Sequence, residues 1–183
     1  GHRALATLEQ RGKLHALITQ NIDGLHQKAG NSPDRVIEVH GTLHRVVCMA
    51  CGSLAPMQHA LDRVRAGEDD PPCRDCGGIL KSATISFGQP LVAAVVDRAF
   101  ACAREADVFI AIGTSLQVYP VAEMVPLARQ AGARVVIVNG EPTAMDGLAD
   151  LVIASAIGEA LPIVCADPGP HGGRPTPRAD ARA

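Results

Sequence analysis

Short apolar runs separated by polar, glycine-containing breaks recur along the chain, and their lengths sort them into strands and helices. Leu17, Ile18 and Thr19 form a run too short for a helix; it ends in Gln20, Asn21 and Asp23 and is closed by Gly24. Such a run reads as a buried parallel strand. A helical turn through Leu25, His26 and Ala29 follows, then a break over residues 30–33. A second strand, Val36 to Val39, delivers His40 and Gly41. Ahead of this unit, Leu5 and Leu8 share one face of a helix from Ala4 to Gln10, with Gly12 placed as its cap. Further on, Leu91–Ala106 reads as an Ala-rich helix and Val108–Ile112 as a strongly apolar central strand. Val135–Val138 and Leu151–Ile153 are further strands, with helices opening near Val121 and running from Ile157 to Val164. Strands alternating with helices predict a doubly wound α/β domain on a parallel sheet. In that architecture the loops at the carboxyl ends of the strands form the ligand crevice. Gln20, Asn21, Asp23 and His40 should therefore meet at one site.

Composition narrows the partners. At 183 residues and 47% hydrophobic, the chain suits one core domain with a small module. A net charge of −2 gives no electrostatic footprint for nucleic acid or an anionic membrane, and one Tyr, three Phe and no Trp leave few stacking platforms. No apolar run reaches the roughly 18–20 residues of a membrane span, and the N-terminus lacks the charged-then-apolar order of a signal peptide. Neither nucleic acid nor membrane is an expected partner.

Four of the six cysteines stand as Cys48-x2-Cys51 and Cys73-x2-Cys76, a doubled spacing that favours metal in a reducing compartment over disulfides. The expected location is the cytoplasm. Gly52 and the Gly77–Gly78 pair permit the tight turns that aim thiolates at one ion. Residues 52–72, twenty-one positions, separate the pairs; the acidic, Pro-containing stretch Ala66–Pro72 reads as an inserted loop that accounts for the extra length. Four Cys ligands close the coordination sphere, so a zinc ion here would be structural. Cys102 and Cys165 read as packed small hydrophobes, and His44 and His59, among the cysteine pairs, as structural. Residues 42–86 form the zinc-ribbon module, 1–41 and 87–166 the α/β domain, and 167–183, rich in Pro, Gly and Arg, a disordered tail.

The polar residues have plain uses. Asn and Asp cap helices and fill turns, and a histidine at a strand end is commonly a satisfied surface or core residue. Together, however, QNIDGLH at 20–26, EVHG at 38–41 and the C-x2-C that follows resemble the sirtuins, a family of NAD-dependent protein deacylases, and the resemblance extends from about residue 1 to 165. It implies that Asn21 and Asp23 line a nicotinamide pocket, with Asp23 toward the carboxamide, that Gln20 contacts the nicotinamide ribose, and that His40 is the general base. Residues 113–120, GTSLQVYP, match the family's G-T-S-L-x-V-x-P segment. Gly113, Thr114 and Ser115 would then approach NAD, and Val118 would wall the acyl-lysine tunnel. Asn139 and Glu141 lie in NGEPT, which matches the family's N-x-E-P-T, with Asn139 near the adenosine ribose. Ser86, Phe87 and Gly88 fall in a short β-prone run whose family counterpart pairs with the acylated peptide by strand addition.

The implied reaction removes an acyl group from a protein lysine. Its oxygen attacks the ribose carbon as nicotinamide leaves, His40 takes a ribose hydroxyl proton, and the acyl group ends on ADP-ribose. NAD is thus a co-substrate and zinc a structural ion. Three departures stand out: Gln89 replaces the acidic residue usual after F-G, Gly140 replaces an apolar one, and nothing matches the family's glycine-rich phosphate loop. The fold implied is a Rossmann-like sheet missing its first strand and that loop, a truncated member and a weak catalyst by itself. A non-catalytic fragment binding NAD or peptide, or a zinc-ribbon nucleic-acid binder, are the competing classes, the latter disfavoured by acidity and few aromatics.

Overall fold

The computed structural model describes residues 1–167 and 169; the tail expected over 167–183 lies, apart from Asp167 and Gly169, outside the described residues. In chain order the elements are α1 (His2–Gln10), β1 (Leu17–Thr19), α2 (Leu25–Ala29), β2 (Val36–Glu38), β3 (Gly41–Cys48), β4 (Leu54–Pro56) and α3 (Met57–Arg65). They continue as β5 (Leu80–Thr84), α4 (Ala93–Glu105), β6 (Val108–Ile112), α5 (Met124–Gln130), β7 (Arg134–Asn139), β8 (Leu151–Ala154) and α6 (Ile157–Val164). A 3-10 turn, Val121–Glu123, leads into α5, and another, Asp146–Leu148, precedes β8. The end of α1 shows why the sequence pattern was readable: Gly12 takes φ +68°, its amide donates to the Glu9 carbonyl at 2.8 Å, and the Lys13 amide donates to Leu8 at 3.1 Å. That pair of bonds satisfies the last carbonyls of the helix and turns the chain toward β1.

The strands form two parallel groups and one antiparallel sheet. β1 pairs with β2, Leu17 opposite Val36 and Thr19 opposite Glu38, while β6, β7 and β8 form a second parallel group in that order. No ladder joins the two groups among the described residues; side-chain packing does. On one face Leu17 and Val36 share a cluster with Leu5 of α1, Leu161 of α6 and Ile112 of β6. On the other, Ile37 and Val39 pack with Ala99 and Ala103 of α4, Met124 of α5 and Phe109 of β6. Neighbouring β2 residues thus point to opposite helix layers, the two-residue period of a strand covered on both sides. A third cluster, Val135 and Ile137 with Val125, Ala122 and Leu116, fastens α5 to β7. Each fully buried Val, Leu, Ile or Met among them contributes on the order of 1.5–3 kcal/mol.

Two expectations are corrected. β6 is an edge of its hydrogen-bonded group and β7 is the central strand; β6 is apolar because helices cover its faces, not because strands flank it. The β-prone run beginning at Ala83 is strand only as far as Thr84. β5 starts earlier, at Leu80, held by its ladder to β3, and residues 86–89 make a turn. Between the cysteine pairs the structure adds the nine-residue helix α3 ahead of residues 66–72, which are a loop as read.

Candidate active site and metal centre

The carboxyl ends of β1 and β2 carry the first half of the site. The Val39 amide donates to the Thr19 carbonyl at 3.0 Å, so the β1–β2 pairing runs on until His40 stands beside Gln20. His40 Nδ1 lies 3.0 Å from the Gln20 carbonyl oxygen. A carbonyl only accepts, so Nδ1 carries the hydrogen, and in the neutral ring Nε2 is left with its lone pair free. The backbone of His40 is held as well: its carbonyl accepts from the Ile85 amide at 2.9 Å. Gly41 follows with φ +75°, and a Cβ there would sit 2.0 Å from the Ala83 carbonyl oxygen. Only glycine lets β3 leave His40 in this direction while β5 passes so close.

The polar loop after β1 is pinned from several sides. The Asn21 amide donates to Thr19 Oγ1 at 3.1 Å, and the Leu25 amide donates to Asp23 Oδ1 at 2.9 Å, starting α2. The Leu43 amide donates to the Ile22 carbonyl at 2.9 Å, and His44 Nε2 lies 2.9 Å from the Asp23 carbonyl. His44 therefore reaches the site, a contact that nothing in its sequence position signals. The side chains of Gln20, Asn21 and Ser115 enter no side-chain hydrogen bond among the described residues, which leaves their donors and acceptors free for a ligand.

The second half stands at the ends of β6 and β7, where the Gly113 amide donates to the Val138 carbonyl at 2.9 Å. Gly113 has φ +57° and its missing Cβ would fall 2.3 Å from Ile157 Cδ1, so the turn packs directly on α6. The Leu116 amide donates to Thr114 Oγ1 at 3.2 Å, and Leu116, itself at φ +55°, is buried in the α5 cluster. Ser115 is left exposed, and at the end of β7 Asn139 Nδ2 donates to the Glu141 carbonyl at 2.7 Å. Gly113 and Asn139 thus open loops at the ends of neighbouring strands. Ser86, Phe87 and Gly88 form an exposed turn in which the Gln89 amide donates to the Ser86 carbonyl and Gln89 Oε1 accepts from the Ser86 amide. Phe87 is 100% exposed, and Val118 is exposed on the segment before the 3-10 turn.

The two cysteine pairs repeat one local geometry. The Gly52 amide donates to the Cys48 carbonyl at 2.9 Å and the Gly77 amide to Cys73 at 2.8 Å; the Cys48 and Cys73 amides donate to Ser53 and Gly78 at 2.9 and 2.8 Å. The sulfurs converge, with Cys48 to Cys76 at 3.5 Å, Cys51 to Cys73 at 3.8 Å and all four within 4.8 Å of one another. Four bonds of about 2.3 Å arranged tetrahedrally require sulfur–sulfur edges of about 3.8 Å. The residues fit a zinc ion. A Cβ at Gly78 would lie 2.9 Å from Cys48 Sγ, so that position must be bare for the thiols to gather. Without a cation the sulfurs oppose one another's ionisation. Amide hydrogens of Cys51 and Ala50, with the thiols beside it, lower Cys48 to about 6. Cys51, although favoured as thiolate by the Ser53 amide, is pushed up to about 12 by the Cys76 and Cys48 sulfurs. A divalent ion removes that conflict.

Parallel strands sandwiched by helices, polar loops at their carboxyl ends and a four-thiol module inserted behind the second strand define a Rossmann-like α/β protein with a metal-stapled insertion. The chain belongs to the Sir2 family, whose family model matches residues 1–120. It is 53% identical over 161 residues to NAD-dependent protein deacetylase 2 of Streptomyces coelicolor, covering 88% of this chain and 67% of that protein. It is 48% identical over 164 residues to NAD-dependent protein deacetylase 1 of Bradyrhizobium diazoefficiens, covering 88% and 63%. A solved structure of Sir2 bound to acetylated peptide superimposes with a TM-score of 0.82 at 33% identity, covering 89% of this chain and 67% of that one. The chain thus spans about two thirds of the length of the relatives it matches.

Proposed function

We propose that this chain acts as an NAD-dependent protein lysine deacylase, acetyl being the first acyl group to test. Its own residues would bind the co-substrate and substrate as follows. Asn21 and Asp23 frame nicotinamide, Gln20 meets its ribose, Gly113, Thr114, Ser115, Asn139 and Glu141 serve the rest of NAD, and Ser86, Phe87, Gly88 and Val118 receive the acyl-lysine peptide. NAD supplies the ADP-ribosyl acceptor for the acyl group, with nicotinamide as leaving group. His40 takes the ribose hydroxyl proton at Nε2. Cys48, Cys51, Cys73 and Cys76 hold zinc as a structural staple, since four thiolates leave no open position to activate water. Thiols that must stay reduced favour a reducing compartment, the cytoplasm, for this chemistry. A net charge of −2 and few aromatic residues favour a protein substrate over nucleic acid.

The observation that carries this reading is the His40–Gln20 bond, which fixes the tautomer of a base at the mouth of a polar loop with unused donors. The test is nicotinamide release from NAD with an acetylated peptide. His40→Ala should lower turnover by about 10²–10⁴-fold, the usual worth of general-base assistance, while NAD binding is retained. Near-normal turnover would move the base elsewhere, with Asp23 the next candidate.

A further inference from the structure

We infer that His44 is a positioning residue for the nicotinamide end of the site, holding Asp23 in place from the zinc module; this rests on the reading of Asp23 given above. Two independent features carry it. The first is the hydrogen bond. The Asp23 carbonyl can only accept, so His44 donates from Nε2 across 2.9 Å. Because Asp23 Oδ1 accepts from the Leu25 amide, Asp23 is fixed at its backbone by one bond and at its carboxylate by another. The second is Gly24. It is buried with φ +67°, and a Cβ there would lie 2.6 Å from His44 Nε2 and 2.7 Å from Cδ2. The ring therefore lies directly on the Gly24 backbone, and residue 24 has no room for a side chain while His44 keeps this place.

The register of β3 explains why residue 44 is available. Its pairing with β5 jumps between Thr42 and Val46, so Leu43 and His44 fall outside that ladder. Their groups turn instead to the loop after β1, Leu43 N–H to Ile22 and His44 to Asp23. A break in an antiparallel ladder re-aims side chains in this way. His44 touches no reacting atom in this arrangement; it acts through Asp23. Losing it should leave the peptide side and the metal untouched and loosen the loop that meets nicotinamide.

The experiment compares His44→Ala, His44→Gln, whose amide can donate to the same carbonyl, and His59→Ala, an exposed histidine on α3, as control. Three readouts are taken: amide hydrogen exchange at Leu25, the nicotinamide inhibition constant with the KM for NAD, and the KM for acetylated peptide with bound zinc. His44→Ala should speed exchange at Leu25 and raise both nicotinamide-linked constants together by roughly five- to tenfold, the worth of one net hydrogen bond. Peptide KM and zinc content should hold, and His44→Gln should restore wild-type values to within about twofold. If Leu25 exchange and nicotinamide inhibition in His44→Ala stay within about twofold of wild type, or if His44→Gln is as impaired as His44→Ala, the proposal falls. A wild-type protein without NAD-dependent turnover would overturn the deacylase reading instead, and exchange at Leu25 would still decide whether His44 holds the loop.

Discussion

Replacing Gly41 by alanine tests the geometry behind the base. Two effects add there. The residue sits at φ +75°, where a side chain costs about 1–2 kcal/mol. The new Cβ would also stand 2.0 Å from the Ala83 carbonyl oxygen, 3.1 Å from its carbon and 3.2 Å from Thr84 Cα. All three are backbone atoms of a paired strand, so nothing can rotate away; β3 and β5 must part by more than an ångström, an overpacking that costs roughly 1–3 kcal/mol or more. Together the loss is about 2–5 kcal/mol, a large share of the roughly 5–15 kcal/mol of a whole domain. Gly12→Ala is the matched control, because Gly12 has φ +68° and nothing within 4 Å of its missing Cβ. Urea unfolding of zinc-loaded protein, followed by circular dichroism, should show a loss at Gly41→Ala exceeding that at Gly12→Ala by at least about 1 kcal/mol. Turnover should fall further than stability accounts for, since the Ile85–His40 bond lies at the same crossing. Equal losses in the two variants would refute the clash.

Two other perturbations follow from the metal module and from two ionisable side chains with shifted titration. Cys73→Ser should release metal and lower the melting temperature, because four thiolates bind zinc with an apparent 10–16 kcal/mol or so near neutral pH; elemental analysis finding neither zinc nor iron in purified native protein would contradict the site. Stability should also fall on acidification in two stages. Desolvation, with His2 nearby and against the pull of Asp23, lowers His26 from 6.5. A histidine protonated more readily when unfolded contributes stability that is intact above about 6.5 and lost as pH falls below it. Glu9 is lowered from 4.5 by the Asn31 side chain, then by the Ser32 amide and Arg35, against partial desolvation, so its contribution is intact above about 4.5 and lost below. Urea midpoints measured from pH 8 downward should lose the first stage in His26→Gln and the second in Glu9→Gln; a variant with an unaltered profile would remove that residue from the account.

What was legible in the sequence follows from which forces are local. α1 closes at Gly12 and α6 runs Ile157–Val164 as read, because caps and apolar periodicity are written in consecutive residues. The short strands β1 and β2 were legible from apolar runs bounded by turn residues. α3 is not among the elements read from sequence although Met57, Ala60, Leu61 and Val64 keep helical spacing and Gly67 stands past its end; its apolar side is only half-buried, so no core demands it. β5 was misplaced because Lys81 and Ser82 carry no apolar signal, and the strand exists through its ladder to β3. The edge position of β6 and the partition of the strands depend on which segments pair across the chain. Of the site, His40 beside Gln20 and the convergence of four thiols were anticipated from motif and spacing. His44 was not, since its role needs a register break in one strand and a bare glycine twenty positions earlier.

One strand sets the relation between the four thiols and His40. β3 begins at Gly41, immediately after His40, and ends at Cys48, the first thiol. Eight steps at about 3.3 Å put Cys48 at most roughly 26 Å from His40, less where the ladder is irregular. At that separation an ion held by the thiols would make no contact with His40, and its field there would cross more than one Debye length of about 8–10 Å. Its influence must be mechanical. β3 carries the bonds from Leu43 and His44 to residues 22 and 23, while β5, paired to it, carries the Ile85 bond to His40. The thiols close the far end of the same three-stranded sheet. The thiol cluster, His40 and the loop after β1 are therefore linked through hydrogen bonds along a single sheet, and on the function proposed above loss of zinc would reach the chemistry by letting that sheet move.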